Sequence, residues 1–170
     1  MYAFRDKTCT WHEAAGNNFS SLEDLQNYIL KIANEYTGKK VFCGVSMGGS
    51  AAIYFGCSVE GAHIIAASPQ MFQFQFLWNT TSRRRYEMIE RIPYAIRAGI
   101  HKSINLFVCE NGKDQQWDWK DDLAAEVSER SFKINVKKIT CSGHASWLYF
   151  SMKDEIERIV DKSIFSGGGE

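Results

Sequence analysis

Three side chains that together fit one reaction stand far apart in the chain. They are a serine in Gly44-Val-Ser46-Met-Gly48, a carboxylate in Gly112-Lys-Asp114 and an imidazole in Gly143-His144. A serine hydroxyl is a poor nucleophile until a base removes its proton, so Ser46 requires a histidine close in space. Of the four histidines, His63 falls inside an apolar run and reads as a packed residue. His12 and His101 lie in turn-like surroundings with no strand leading to them. His144 follows a strand-like run and precedes the last helical pattern, which makes it the candidate base. The imidazole in turn needs an acceptor that fixes its tautomer. Asp114 is the first candidate, and Asp118 and Glu110 on the same stretch are the alternatives. Gly-x-Ser-x-Gly spacing alone is a weak signal, because a glycine-rich turn that merely packs a helix on a strand reads the same way. Its weight comes from its surroundings. The apolar run Val41–Val45 precedes it and the small-residue run Gly48–Gly56 follows. This is the strand–turn–helix context that holds a serine in a strained, exposed position.

The elements that would carry these groups alternate. Tyr2–Arg5 reads as a short strand. Ser20, three residues before Glu23, reads as a capping box opening a helix. Leu22, Leu25, Tyr28, Ile29, Ile32 and Ala33 then mark one helical face up to Gly38. Strands are expected at Val41–Val45, Ala62–Ala67, Ile104–Cys109 and Lys133–Ile139. Helices are expected at Gly48–Gly56, Asp121–Arg130 and Ser151–Ser163. Strands separated by helices pair in parallel, because a parallel neighbour requires a crossover. Continuous apolar strands such as Ala62–Ala67 imply burial on both faces. The fold class is therefore α/β, a three-layer α/β/α sandwich with a mostly parallel sheet. Residues 1–165 form one domain and 166–170 a flexible tail. Residues 70–103 interrupt the alternation with Phe72, Phe74, Phe76, Trp78, a basic run at 83–85, and Pro93, which marks a bend or helix boundary.

The order Ser46, Asp114, His144, each just after a different strand, is the order used by α/β-hydrolases. On these motifs, and over roughly residues 20–162, the chain resembles the C-terminal two thirds of an α/β-hydrolase domain. Specifically, it is similar to the esterase- and acyltransferase-like bacterial members with a Gly-x-Ser-Met-Gly-Gly elbow. The resemblance implies a reduced α/β-hydrolase fold, with Ser46 as nucleophile, His144 as general base and then acid, and Asp114 as the orienting acid. It also implies that 70–103 forms a lid. The family usually has several strands before the elbow, whereas Ser46 leaves room for one strand and one helix. The loop that normally gives one oxyanion amide is therefore missing or reduced. The Met47 amide remains as one donor to the oxyanion hole, and the loop Asp6–Trp11 is a candidate for the second. Gln70, Phe72, Trp117 and Trp147, grouped around these loops, would contact an acyl group or a sugar ring. Core packing would explain each aromatic equally well.

Composition narrows the rest. The chain has 170 residues, 45% apolar and 24% charged, with 20 basic and 20 acidic residues and a formal net charge of zero. It has no overall field to draw in nucleic acid or an anionic membrane. No apolar stretch is long enough to span a bilayer, and Met1–Lys7 lacks the apolar core of a signal peptide. A cytoplasmic protein is expected. The five cysteines show no Cys-x-x-Cys spacing and read as reduced thiols, with Cys43 and Cys109 as small buried hydrophobes. No cofactor or metal motif stands out. The expected activity is that of a serine esterase, or an acyltransferase working through an acyl-serine, on a small ester or acylated saccharide. The rival is a non-catalytic hydrolase-like module of a surface-polysaccharide or export system. A homodimer pairing through the front edge of the sheet is compatible with either.

Overall fold

A computed structural model describes residues 19–69, 83–109, 133–139 and 146–159. Their order is α1 (Leu22–Glu35), β1 (Val41–Val45), α2 (Met47–Gly56), β2 (His63–Ala67), α3 (Arg83–Ala98), β3 (Ser103–Cys109), β4 (Lys133–Ile139) and α4 (Ser146–Ile159). The strands form one four-stranded sheet in the order β1-β2-β3-β4, and every pair is parallel. In register, Val41, His63, Ser103 and Lys133 share one end, while Val45, Ala67, Phe107 and Lys137 share a row near the other. The expected α/β class with a parallel sheet is therefore found.

Side chains alternate across a strand, and each face of this sheet carries an apolar cluster. On one face Phe42, Ile64, Ala66, Ile104, Leu106 and Ile134 meet Leu22, Leu25 and Ile29 of α1, Ile53 of α2, and Met88, Ile92 and Ile96 of α3. On the other, Ile65, Ala67 and Phe107 meet Ile156 and Ile159 of α4, with Val41 and Val45 alongside. Ile64, Ile65, Ala66 and Ala67 are all fully buried, which is why β2 is apolar without alternation. Strands laid down in sequence order by right-handed crossovers place their connecting helices on a single face. Accordingly α2 and α3 pack together there, and α4, following the last strand, returns across the opposite face to β2 and β3.

Polar contacts lock α4 in place. Glu155 is buried and takes Lys137 Nζ of β4 at 2.5 Å on one oxygen, and Arg158 Nε and Nη2 at 3.1 and 2.5 Å on the other. Lys39 Nζ donates to the Ile159 carbonyl at 2.9 Å, closing the helix C-terminus onto the residues before β1. On the same face Asn135 Nδ2 donates to Asn105 Oδ1 at 2.9 Å, and His63 Nδ1 and Ser103 Oγ are bonded at 2.9 Å.

Several expectations need correction. The N-cap of α1 is Ser21, whose hydroxyl accepts from the Asp24 N–H at 3.0 Å. Ser20, one residue too early to cap, donates instead to the Asp24 carboxylate. Pro93 is neither a boundary nor an interruption, because α3 runs through it. The missing N–H and ring clash cost about 3 kcal/mol. Burial of Met88, Ile92 and Ile96, four residues apart on one stripe, outweighs that. The second half of the 70–103 excursion thus contributes to the main core. Cys43 is exposed rather than buried, since β1 is an edge strand among the described residues. The closing helix starts at Ser146, five residues earlier than its apolar spacing indicated. The expected strand at 2–5, helix at 121–130 and tail at 166–170 lie outside the described residues.

Ile64→Ala should destabilise the fold by about 2–5 kcal/mol, read from denaturant midpoints, because this side chain has no exposed surface to collapse toward. Burial, together with the charges of Lys102, Lys39 and Arg158, lowers the pKa of His63, and burial lowers that of His101. Both imidazoles therefore bind protons more readily when the chain is unfolded. Their contribution to stability is complete above the unfolded pKa of about 6.5 and is lost as pH falls through and below it. Melting temperature should drop between pH 7 and pH 5, and His63→Asn, which can keep the bond to Ser103, should drop less over that interval.

Candidate active site

One residue, Ser46, joins the end of β1 to the start of α2. No room exists for a loop, so the whole change of direction falls on its dihedral angles, φ 55° and ψ −120°. Those angles belong to the first central position of a type II′ turn, ordinarily held by glycine. A side chain there costs about 1–3 kcal/mol and persists only where the surroundings over-determine it. Here they do. The Ser46 N–H donates to the Ala67 carbonyl of β2 at 2.8 Å, and the Ser46 carbonyl accepts the Ser50 N–H at 3.1 Å. The Ser50 hydroxyl, fully buried, also reaches that carbonyl at 3.4 Å.

Glycines make this approach possible, though not all of them in the same way. A Cβ on Gly44 would lie 2.1 Å from the Gly48 carbonyl oxygen, so the first turn of α2 rests directly on the strand leading into it. A Cβ on Gly49 would meet the carbonyl oxygens of Ala67 and Gly44 at 3.1 and 3.2 Å and Pro69 Cα at 3.3 Å. A Cβ on Gly48 would meet no described atom within 4 Å. The steric need thus falls on Gly44 and Gly49, while Gly48 borders open space next to Ser46 among the described residues.

The electrostatics favour negative charge. Helix α2 begins at Met47 with no acidic residue in its first turn, and Ser46 makes no side-chain capping bond to it. The N–H groups of that first turn, which have no partner within the helix, and the positive end of the helix dipole therefore gather beside the serine.

Of the expected site residues, Ser46 and Met47 stand at this turn, with Met47 as the first residue of α2 and partly packed against the core. Asp114, His144, Gln70, Phe72 and Trp117 lie outside the described residues, as do the alternatives Glu110 and Asp118 and the loop Asp6–Trp11. Trp147 is the second residue of α4. The strands that lead to the expected acid and the expected base are described. β3 ends at Cys109 before Asp114 and β4 ends at Ile139 before His144, both parallel to β1. Two rival histidines are displaced from the serine. His63 opens β2 beside Val41, about 16 Å from Ser46 along the strand direction at 3.3 Å per residue, and His101 precedes β3 near that same opposite rim. Among the described residues no group of three or more His, Cys, Asp or Glu could hold a metal ion. No helix among them is long and apolar enough to cross a membrane.

Sequence reasoning passed over Ser68. It stands one residue past β2, is buried, and has φ 40°, so Ser46 and Ser68 are the two positive-φ non-glycine residues among those described. Its position between a strand end and Pro69 was the available signal. No protein-family model and no curated protein matches the chain.

Gly44→Ala should cost about 1–3 kcal/mol or more in unfolding experiments, since the obstacle is a backbone carbonyl that no side-chain rotation relieves. Gly48→Ala, in the same pentapeptide, should be neutral or stabilising by up to about 1 kcal/mol, because alanine is the better helix former and meets no described neighbour.

Proposed function

We propose that the chain is a serine hydrolase with a reduced α/β-hydrolase fold built as a three-layer sandwich, acting as an esterase or as an acyltransferase through the same intermediate. The conformation of Ser46 carries this reading. A non-glycine residue at φ 55° and ψ −120°, joining a parallel strand directly to a helix, is the strand–turn–helix geometry that a nucleophile elbow requires. A turn serving only to pack α2 on β1 would take glycine there without strain.

In the proposed reaction His144 takes the Ser46 Oγ proton as the oxygen bonds to the acyl carbon, and Asp114 holds the imidazolium. Negative charge passes to the carbonyl oxygen and meets the Met47 N–H, with a second donor expected from Asp6–Trp11. Collapse of the tetrahedral species breaks the ester C–O bond, and His144 returns its proton to the departing alkoxide. Water, or the hydroxyl of an acceptor, then repeats the sequence in reverse and frees Ser46. Gln70, Phe72, Trp117 and Trp147 are assigned to the substrate, a small ester or acylated saccharide.

A fluorophosphonate probe should label the folded protein, with the adduct mapped to Ser46 by peptide mass and lost in Ser46→Ala. His144→Ala should lower hydrolysis of p-nitrophenyl acetate by about 10²–10⁴-fold, the usual contribution of a general base. Folded protein that takes no label would overturn the reading in favour of the non-catalytic module.

A further inference from the structure

The turn of the nucleophile is braced by the second strained residue. Ser46 and Ser68 each stand one residue past the end of neighbouring strands, and their anchors share a single peptide unit. The carbonyl of Ala67 accepts the Ser46 N–H at 2.8 Å, and the N–H of Ser68 donates to the Phe107 carbonyl of β3 at 2.8 Å. Because a peptide unit is planar and stiff, this one forms a rigid strut between the elbow on β1 and the centre of the sheet. Immediately after it the chain turns away through φ 40° at Ser68, which is 1% exposed. The same segment touches the elbow from the helix side, since a Cβ on Gly49 would lie 3.1 Å from the Ala67 oxygen and 3.3 Å from Pro69 Cα.

We infer that Ser68 is a positioning residue for Ser46, acting through its left-handed backbone rather than its hydroxyl. Its conformation orients the 67–68 peptide that holds the Ser46 N–H, and carries Pro69 against the first turn of α2. The inference rests on the hydrolase reading.

The test is the rate of fluorophosphonate labelling at Ser46, resolved into an inactivation rate constant and a concentration dependence, on protein shown to be folded by circular dichroism. Ser68→Gly and Ser68→Asn accept positive φ and should label within about threefold of the wild-type rate. Ser68→Thr keeps a hydroxyl but is β-branched and ill-suited to positive φ. Its inactivation constant should fall about tenfold or more with the concentration dependence unchanged, as expected for a misplaced reacting group. A merely structural role would lower the melting temperature and leave the rate per folded molecule alone. Should the threonine variant fail to fold, Gly49→Ala presses on the same segment from α2 and should slow labelling in the same way. Wild-type rates in folded Ser68→Thr, or in folded Gly49→Ala, overturn the inference. A tenfold loss in folded Ser68→Gly also overturns it, by assigning the role to the hydroxyl. A wild-type chain that takes no label at Ser46 overturns the hydrolase reading itself, and this inference with it.

Discussion

Between β1 and the first turn of α2 there is no space for even one methyl group at Gly44, and the rest of the site depends on that closeness. Because the helix lies directly on its own strand, a single residue must reverse the chain, and that residue is a serine held in a backbone region where side chains rarely sit. The strain is sustained by what surrounds it. Ala67 bonds to the Ser46 N–H, the first hydrogen bond of α2 starts from the Ser46 carbonyl, and the fully buried face of α2 ties the helix to Ile64, Ile104 and Leu106. Local strain is thus maintained by a core on which the whole sheet depends.

The parallel sheet determines which chain segments converge. In such a sheet all strands finish at one rim, and residues just beyond those ends become neighbours however distant they are in sequence. Here β1 ends at the serine, β3 ends before the proposed acid, and β4 before the proposed base. Glu155 and Lys39 hold α4, the helix that follows the proposed base, to β4 and to the approach to β1. Protonating Glu155 would loosen that attachment. Its carboxyl sits below the ordinary range chiefly because Arg158, and then Lys137, bond to the charged form, so the attachment outlasts the pH at which an ordinary carboxylate takes up its proton.

The four described strands and the sharp turn at Ser46 were legible in the sequence because their signals are local. Val41–Val45 and Lys133–Ile139 fall where their apolar and β-branched runs indicate, and the Gly-x-Ser-x-Gly turn sits between a strand and a helix. What the sequence hid depends on tertiary contact. Proline signals a break, yet α3 crosses Pro93 because three buried residues pin it to α2. Cys43 sits in an apolar run but at an edge of the sheet among the described residues, and strand order is not written in β1 itself. Ser20 and Ser21 offer the same hydroxyl one residue apart, and only the start of the helix chooses between them. Ser68 escaped notice because no residue type announces positive φ except glycine and asparagine. Of the expected catalytic and oxyanion-hole residues, Ser46 and Met47 fall within the described residues, at the turn between β1 and α2.

The central claim is that one sheet rim brings an alcohol and an imidazole together. The most direct measurement is the distance from Ser46 Oγ to the nearer ring nitrogen of His144 in a crystal structure of the wild-type chain. The account predicts hydrogen-bond reach, about 2.6–3.2 Å or slightly looser without a bound substrate. A ring packed elsewhere, with another residue's side chain occupying that position beside Ser46, would contradict it.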